Sequence, residues 1–222
     1  MRPLLIFDFD GVIADSEVLS NTVLAETITA LGAPTSVDDC YRLYMGKRVP
    51  DIVAAIAALT GRSLDHDFID NLQAATFERF RRELRAVAGA KEFIDAFADV
   101  PRCIASSSAP ARLAACLDIL GLAAHFGENV FSAELVTRGK PHPDIFLLAA
   151  SRMDAEPAHC IVIEDSAGGV QAARAAGMRV IGLTAASHIR DGHGTRLAEA
   201  GAHHVAATFD EAAAITRRWL AA

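Results

Sequence analysis

An α/β architecture, with a parallel sheet at its core and a helical block inserted after the first strand, is predicted by three features of the 222-residue sequence. From Gly89 onward, short apolar runs alternate with helical patterns. From Asp15 to about Arg85 there are only helical patterns. One apolar run, Pro3–Phe7, stands ahead of that block and must find its strand partners beyond it. Strands that alternate with helices build βαβ units, and these units close into parallel sheets.

The elements follow in order. After the first strand, Glu17 to Leu31 sets Val18, Val23, Leu24, Ile28 and Leu31 at helical spacing and stops at Gly32, with Pro34 just beyond. Ser36 with Asp39 predicts the N-cap of a second helix. Pro50 opens a third, carrying Ile52, Ala55, Ile56 and Leu59 and closed by Gly61. Phe68, Ile69, Leu72, Ala75, Phe80 and Leu84 line a longer amphipathic helix. The remaining predicted strands are Arg102–Ala105, Asn129–Phe131, His159–Ile163, Arg179–Leu183 and His203–Ala206. Between them lie helical runs at Ala109–Leu120, Pro143–Met153 and Gly169–Ala176. The expected division is an α/β core of residues 1–14 and 86–222 and a helical unit of residues 15–85.

Composition narrows the class of function. Hydrophobic residues make up 52% and charged residues 22%, as in an ordinary globular protein. A net charge of −7 offers no footprint for nucleic acid or an anionic membrane surface. Asp8 interrupts the apolar start too early for a signal peptide, and no uncharged apolar stretch approaches the ~20 residues of a membrane span. The chain therefore reads as cytoplasmic, as a monomer or a small homo-oligomer. Cys40, Cys103, Cys116 and Cys160 are scattered without a Cys-x-x-Cys pair, which predicts buried thiols in a reducing compartment.

Four strand ends carry the chemistry. In Leu4-Leu5-Ile6-Phe7-Asp8-Phe9-Asp10-Gly11, an apolar run ends in two carboxylates spaced i, i+2, which on a strand face the same way. Two such charges about 4 Å apart at an effective dielectric of about 20 repel by roughly 4 kcal/mol. A cation between them, or a proton on one, relieves the repulsion, although Asp-Gly is also a common turn. Ser106 and Ser107 follow the second core strand, where hydroxyls and free N–H groups at a helix start bind phosphate or simply complete a turn. Ser108 is expected as the cap of the next helix. Lys140 sits between Gly139 and Pro141 on a stiff loop, where an ammonium can neutralise an anion. His142 beside it is expected to be structural. Glu164 and Asp165 end another apolar strand, and Asp165 also fits the N-cap of the helix that follows. With Asp8 and Asp10 they form an oxygen-rich cluster suited to Mg²⁺. Every one of these groups falls at the carboxyl end of a strand, where ligands gather in open α/β sheets.

The ordered set Asp8-x-Asp10-Gly11, Ser106, Lys140-Pro141 and Glu164-Asp165 resembles the haloacid dehalogenase superfamily of phosphotransferases. The helical block resembles the cap of the subgroup that holds phosphoglycolate phosphatase and β-phosphoglucomutase. The resemblance implies a Rossmann-like core and a Mg²⁺-dependent phosphatase of a small phosphorylated metabolite, a sugar or sugar-acid phosphate. Asp8 would attack phosphorus and Asp10 would serve as acid and base. Ser106, Ser107 and Lys140 would hold the phosphoryl group. Asp8, Asp165, Glu164 and the Asp10 carbonyl would hold the metal, and the cap would close over the site. The lone-aspartate dehalogenases of the superfamily lack the second acid, so Asp10 argues against that activity. Lys47 and Arg48 in Tyr44-Met45-Gly46-Lys47-Arg48 read either as contacts to the leaving group or as a solvated cationic turn. The Ser187–His193 loop is a further candidate border of the pocket. Two alternatives use the same residues: a β-phosphoglucomutase-like mutase, and a non-enzymatic phospho-acceptor that switches a partner.

Overall fold

A computed structural model describes residues 3–44, 49–64 and 67–221. In chain order the elements are β1 (Leu4–Phe7), α1 (Glu17–Ala30), α2 (Val37–Leu43), α3 (Val49–Thr60), α4 (Phe68–Glu83), α5 (Ala90–Ala96), β2 (Arg102–Ser106), α6 (Pro110–Leu120), α7 (Ala123–Phe126) and β3 (Val130–Ser132). Then follow α8 (Asp144–Arg152), β4 (Cys160–Glu164), α9 (Ala167–Ala175), β5 (Arg179–Leu183), α10 (His193–Glu199), β6 (His204–Ala206) and α11 (Phe209–Leu220). The chain divides into two compact units, one of Met1–Asp15 with Arg85–Ala222 and one of Ser16–Leu84.

In the first unit six strands form one sheet in the order β3-β2-β1-β4-β5-β6, every neighbouring pair parallel. The predicted α/β class with a Rossmann-like parallel sheet is borne out. Side chains alternate along β1, and both faces are buried. Leu4 and Ile6 join a cluster with Ile145, Phe146, Ala149, Val170 and Ala173 from α8 and α9. From the other face, Phe7 meets Phe93 of α5 and Phe126 of α7 edge to face, with ring centroids 5.8 and 5.9 Å apart. Helices on both faces explain why the strands read as unbroken apolar runs rather than alternating ones.

The strand order reverses between β1 and β4, where successive connections leave in opposite directions and open a crevice at the carboxyl ends. Register makes the two tips level. Phe7 pairs with Ile163 across β1 and β4 and with Ile104 across β1 and β2. Asp8 then continues the ladder by one bond, its N–H donating 3.0 Å to the Ile163 carbonyl.

The second unit has its own apolar centre, formed by Leu24, Ala25, Ile28, Cys40, Tyr44, Ile56 and Phe68. The predicted Ser36 cap is present as a reciprocal box: the Asp39 N–H donates to Ser36 Oγ and the Ser36 N–H donates to Asp39 Oδ2, each at 3.1 Å.

Two predicted caps are corrected. Residue Ala109, not Ser108, precedes α6, and the Ser108 hydroxyl is used elsewhere. At α9 the cap is Ser166, whose Oγ accepts from the Gly169 N–H at 3.0 Å, and Asp165 faces the crevice. Helices α5, α7, α10 and α11 add to those predicted. All four cysteines are buried free thiols, and burial pushes those of Cys40, Cys116 and Cys160 up to about 11, which leaves them protonated at neutral pH.

Candidate active site

The crevice between β1 and β4 gathers three acids and one base. Lys140 Nζ donates to Asp8 Oδ1 at 2.7 Å and to Glu164 Oε1 at 2.9 Å. It arrives on the loop between β3 and α8, follows Gly139, precedes a cis peptide to Pro141, and passes 5.0 Å from the Phe146 ring centroid. Glu164 is the last residue of β4 and is fully buried. The Ser166 N–H donates to its Oε2 at 2.8 Å and the Ser166 hydroxyl to its Oε1 at 3.1 Å. This carboxylate lies directly on the first turn of α9. A Cβ at Gly169 would come within 1.5 Å of Glu164 Oε1, so only glycine fits there.

Oxygens of Asp8, Glu164 and Asp165 all lie within 4.8 Å of one another, and all three residues are buried. Burial raises the Asp8 pKa well above the ordinary carboxylate range, with Glu164 and Asp165 adding to the rise and Lys140 opposing it. Burial also pulls the Lys140 ammonium toward its neutral form, but Asp8 and Glu164 together outweigh that and raise its pKa. Three carboxylates thus face one ammonium in a site nearly closed to water. With all three carboxyls ionised the excess is two negative charges, and the upward shift of Asp8 reflects its burial and that crowding; with the all-oxygen donor set this fits a hard divalent cation.

Asp10 stands apart from this cluster. Strand β1 ends at Phe7, so Asp8 and Asp10 do not share a strand face as their spacing alone suggests. Instead the chain turns at Phe9–Ala14, and Asp10 reaches toward α6. Arg112 Nη2 donates to its Oδ1 at 2.7 Å and Ser108 Oγ to its Oδ2 at 2.5 Å. Each acid of the pair therefore has its own cation, which resolves the repulsion anticipated from sequence. Sequence reasoning missed Arg112. A signal existed: a cation in the first turn of a helix opposes the helix dipole, so it calls for a compensating anion.

Ser106, 1% exposed at the tip of β2, accepts from the Ser108 N–H at 3.1 Å, so its hydroxyl is engaged within its own turn. Ser107 and His142 are exposed. Lys47 and Arg48 lie outside the described residues. The loop after β5, by contrast, enters the site. His188 Nε2 lies 3.2 Å from Asp165 Oδ2, and His193 Nε2 lies 2.5 Å from the Asp165 carbonyl oxygen. Gly11 makes room for the meeting of Asp165 with His188, at φ +81°: a Cβ there would fall 2.0 Å from Asp165 Oδ2 and 2.9 Å from His188 Cε1.

Comparison with known proteins agrees with this geometry. The family model of haloacid dehalogenase-like hydrolases matches residues 3–177. The fructose-1-phosphate phosphatase of Escherichia coli is 33% identical over 181 residues, 80% of this chain and 94% of that protein. The 6-phosphogluconate phosphatase of the same organism is 26% identical over 185 residues, 83% of each. Among solved structures, a HAD family hydrolase from Deinococcus radiodurans with bound phosphate and sodium superposes with a TM-score of 0.83 at 29% identity, covering 98% of this chain and 96% of that one. A family match across most of the chain, on a sheet that carries Asp8, Glu164 and Asp165 at its two central strand ends with Lys140 on the loop after β3, makes this protein a member of the haloacid dehalogenase-like hydrolases.

Proposed function

We propose that the protein is a Mg²⁺-dependent phosphatase of small phosphorylated sugars or sugar acids, acting through a phospho-aspartate on Asp8. The observation that carries this reading is the Lys140 ammonium held between Asp8 and Glu164 with Asp165 beside them. Such a site accepts a dianionic phosphoryl group only with added positive charge. The named activities of the two Escherichia coli relatives support the substrate class.

Asp8, Asp165 and Glu164 would hold the magnesium ion, with the Asp10 carbonyl. When bound, the ion neutralises charge on the phosphoryl oxygens and on the nucleophile. The chain's own groups do the rest. A carboxylate oxygen of Asp8 bonds to phosphorus as the bond from phosphorus to the leaving alkoxide breaks. Lys140 turns its donors from Asp8 toward the transferring group, and Asp10, carrying a proton and turned from Arg112 and Ser108, protonates the departing oxygen. In the second half, water attacks the phosphorus of the acyl phosphate, Asp10 takes the water's proton, inorganic phosphate departs and the Asp8 carboxylate is regenerated. Ser106 and Ser107 are assigned to the phosphoryl oxygens, and Lys47 and Arg48 to the leaving group.

The test is a panel of phosphorylated metabolites assayed with Mg²⁺ for phosphate release, with wild type beside Asp8→Asn. Turnover of sugar or sugar-acid phosphates, lost by roughly 10³-fold or more in the variant, is expected. Full turnover by Asp8→Asn would refute the mechanism. Isomerisation of a hexose phosphate without phosphate release would assign a mutase instead. Unchanged Michaelis constants in Lys47→Ala and Arg48→Ala would remove those two residues from the pocket.

A further inference from the structure

We propose that His188 and His193 are positioning residues that grip Asp165 from its two polar ends and thereby set the affinity of the site for its divalent cation. The proposal rests on the cation reading above and extends it to a loop that the reaction itself does not use.

Two imidazoles converge on one residue. His188 is 6% exposed, and its Nε2 lies within hydrogen-bonding distance of the Asp165 side chain, 3.2 Å from Oδ2. His193, the first residue of α10, places Nε2 2.5 Å from the Asp165 main-chain carbonyl. The tautomer of His193 follows from its other nitrogen. Arg196, which has only donors, approaches His193 Nδ1 at 3.0 Å, so Nδ1 accepts and Nε2 carries the proton that goes to Asp165. The two rings also pack edge to face, with centroids 6.0 Å apart, so neither swings independently of the other.

The loop that carries them is itself anchored to the first acidic turn. The Ser187 N–H and hydroxyl both donate to Asp15 Oδ1, at 3.0 and 2.8 Å. Gly11 then leaves open the space in which the Asp165 carboxylate and the His188 ring meet. The result is a closed strap from the end of the Asp8–Asp10 turn, through the loop after β5, to the residue after β4. A carboxylate that ligates a cation with one oxygen loses rotational freedom when a donor fixes the other oxygen. Donors of this kind behind a metal ligand change affinity by about 10- to 100-fold when removed.

The experiment titrates the full chain with Mn²⁺, a divalent probe, by calorimetry, in the absence of any substrate. His188→Leu keeps the bulk of the side chain and loses the donor; His188→Gln keeps a donor at a similar reach. The expected result is binding about 10- to 100-fold weaker in His188→Leu, with most of the affinity restored in His188→Gln and a smaller loss in His193→Ala. Equal affinities for the Leu and Gln variants, whether both as tight as wild type or both weak, would overturn the proposal, since packing alone would then account for the histidine. Asp165→Asn separates the two claims. If it loses Mn²⁺ while His188→Leu does not, the strap fails and the cation site stands. If wild type and Asp165→Asn bind Mn²⁺ alike, the cation site fails and takes the strap with it.

Discussion

In the α/β unit the Lys140 side chain is 8% exposed and lies between two buried acids, whereas in the helical unit Arg42 and Arg81 are 68% and 62% exposed where they pair with Asp39 and Glu78. The two kinds of pair differ in what they cost. Burying three carboxylates and an ammonium at the ends of β1 and β4 removes solvation that their mutual attraction only partly restores, and a hydrophobic filling of the same volume would often be as stable. The exposed pairs cost little and contribute little. Expensive charge confined to one crevice of the sheet, with cheap charge on the helices, marks that crevice as the place where chemistry is done.

The sharpest way to break the contrast is to remove Lys140. Lys140→Ala leaves Asp8 and Glu164 facing each other without their shared ammonium, which costs about 3–5 kcal/mol for a buried pair that loses one partner. On the proposed mechanism it also removes a donor from the transferring phosphoryl group, for a loss of about 10²- to 10³-fold in kcat. Thermal unfolding with and without Mg²⁺ checks the electrostatic part. Because the lost charge is positive, added Mg²⁺ should raise the unfolding temperature of the variant more than that of wild type. An equal rise in both would show that the acids are not in charge deficit. The same change at Arg42, on the exposed side of the comparison, should move the unfolding temperature little.

A second, smaller effect sits within the α/β unit, at the arginine that holds Asp10. If Arg112 and Ser108 position Asp10 for its turn as the acid that protonates the leaving oxygen, Arg112→Ala should slow substrates in proportion to how much they need that proton. Sugar phosphates, whose leaving alkoxides are poor, should lose about 10²-fold, while p-nitrophenyl phosphate, whose leaving phenolate needs little help, should lose far less. Asp10→Asn should show the same dependence on the leaving group, only steeper. A uniform loss across both substrates would assign Arg112 to general folding of the turn instead.

What the sequence made legible, and what it hid, follows the same division. Strands buried on both faces appear as apolar runs such as Cys160–Ile163, and their ends are visible wherever a carboxylate breaks the run, as at Asp8 and Glu164. Interactions between distant segments left no such mark. The Ser108 hydroxyl looks like a helix cap because a cap and a donor to a remote carboxylate share the same local sequence, and only the fold brings Asp10 within its reach. Asp165 looks like a cap for the same reason, although Ser166 takes that role. Helix α11 is not among the predicted elements, although Phe209, Ala212, Ala213, Ile215 and Thr216 share one buried face behind a Thr208 cap. His188 was visible only as part of a polar loop, since its meaning lies in the 3.2 Å to Asp165.

The smallest expected effect sharpens the exposed side of the comparison. Asp39 is partly exposed, and its carboxyl is held down to about 2 by the Ser36 hydroxyl first, then the Ser36 N–H, and then Arg42. A depressed carboxylate adds stability above its unfolded-state value, about 3.9, and that stability drains away as pH falls through the folded value. Ser36→Ala removes the first-named partner but keeps the N–H and Arg42. The Asp39 titration followed by NMR should therefore move up, yet remain below the ordinary value, and acid unfolding of the variant should depend less on pH between about 4 and 2. A midpoint that does not move would mean that the Ser36 N–H and Arg42 hold the charge without the hydroxyl. The hydroxyl would then cap the helix without setting the titration of the carboxylate. Asp8 moves in the opposite direction, upward with burial, so the two titrations together separate what solvent exclusion does to a carboxylate from what donors do.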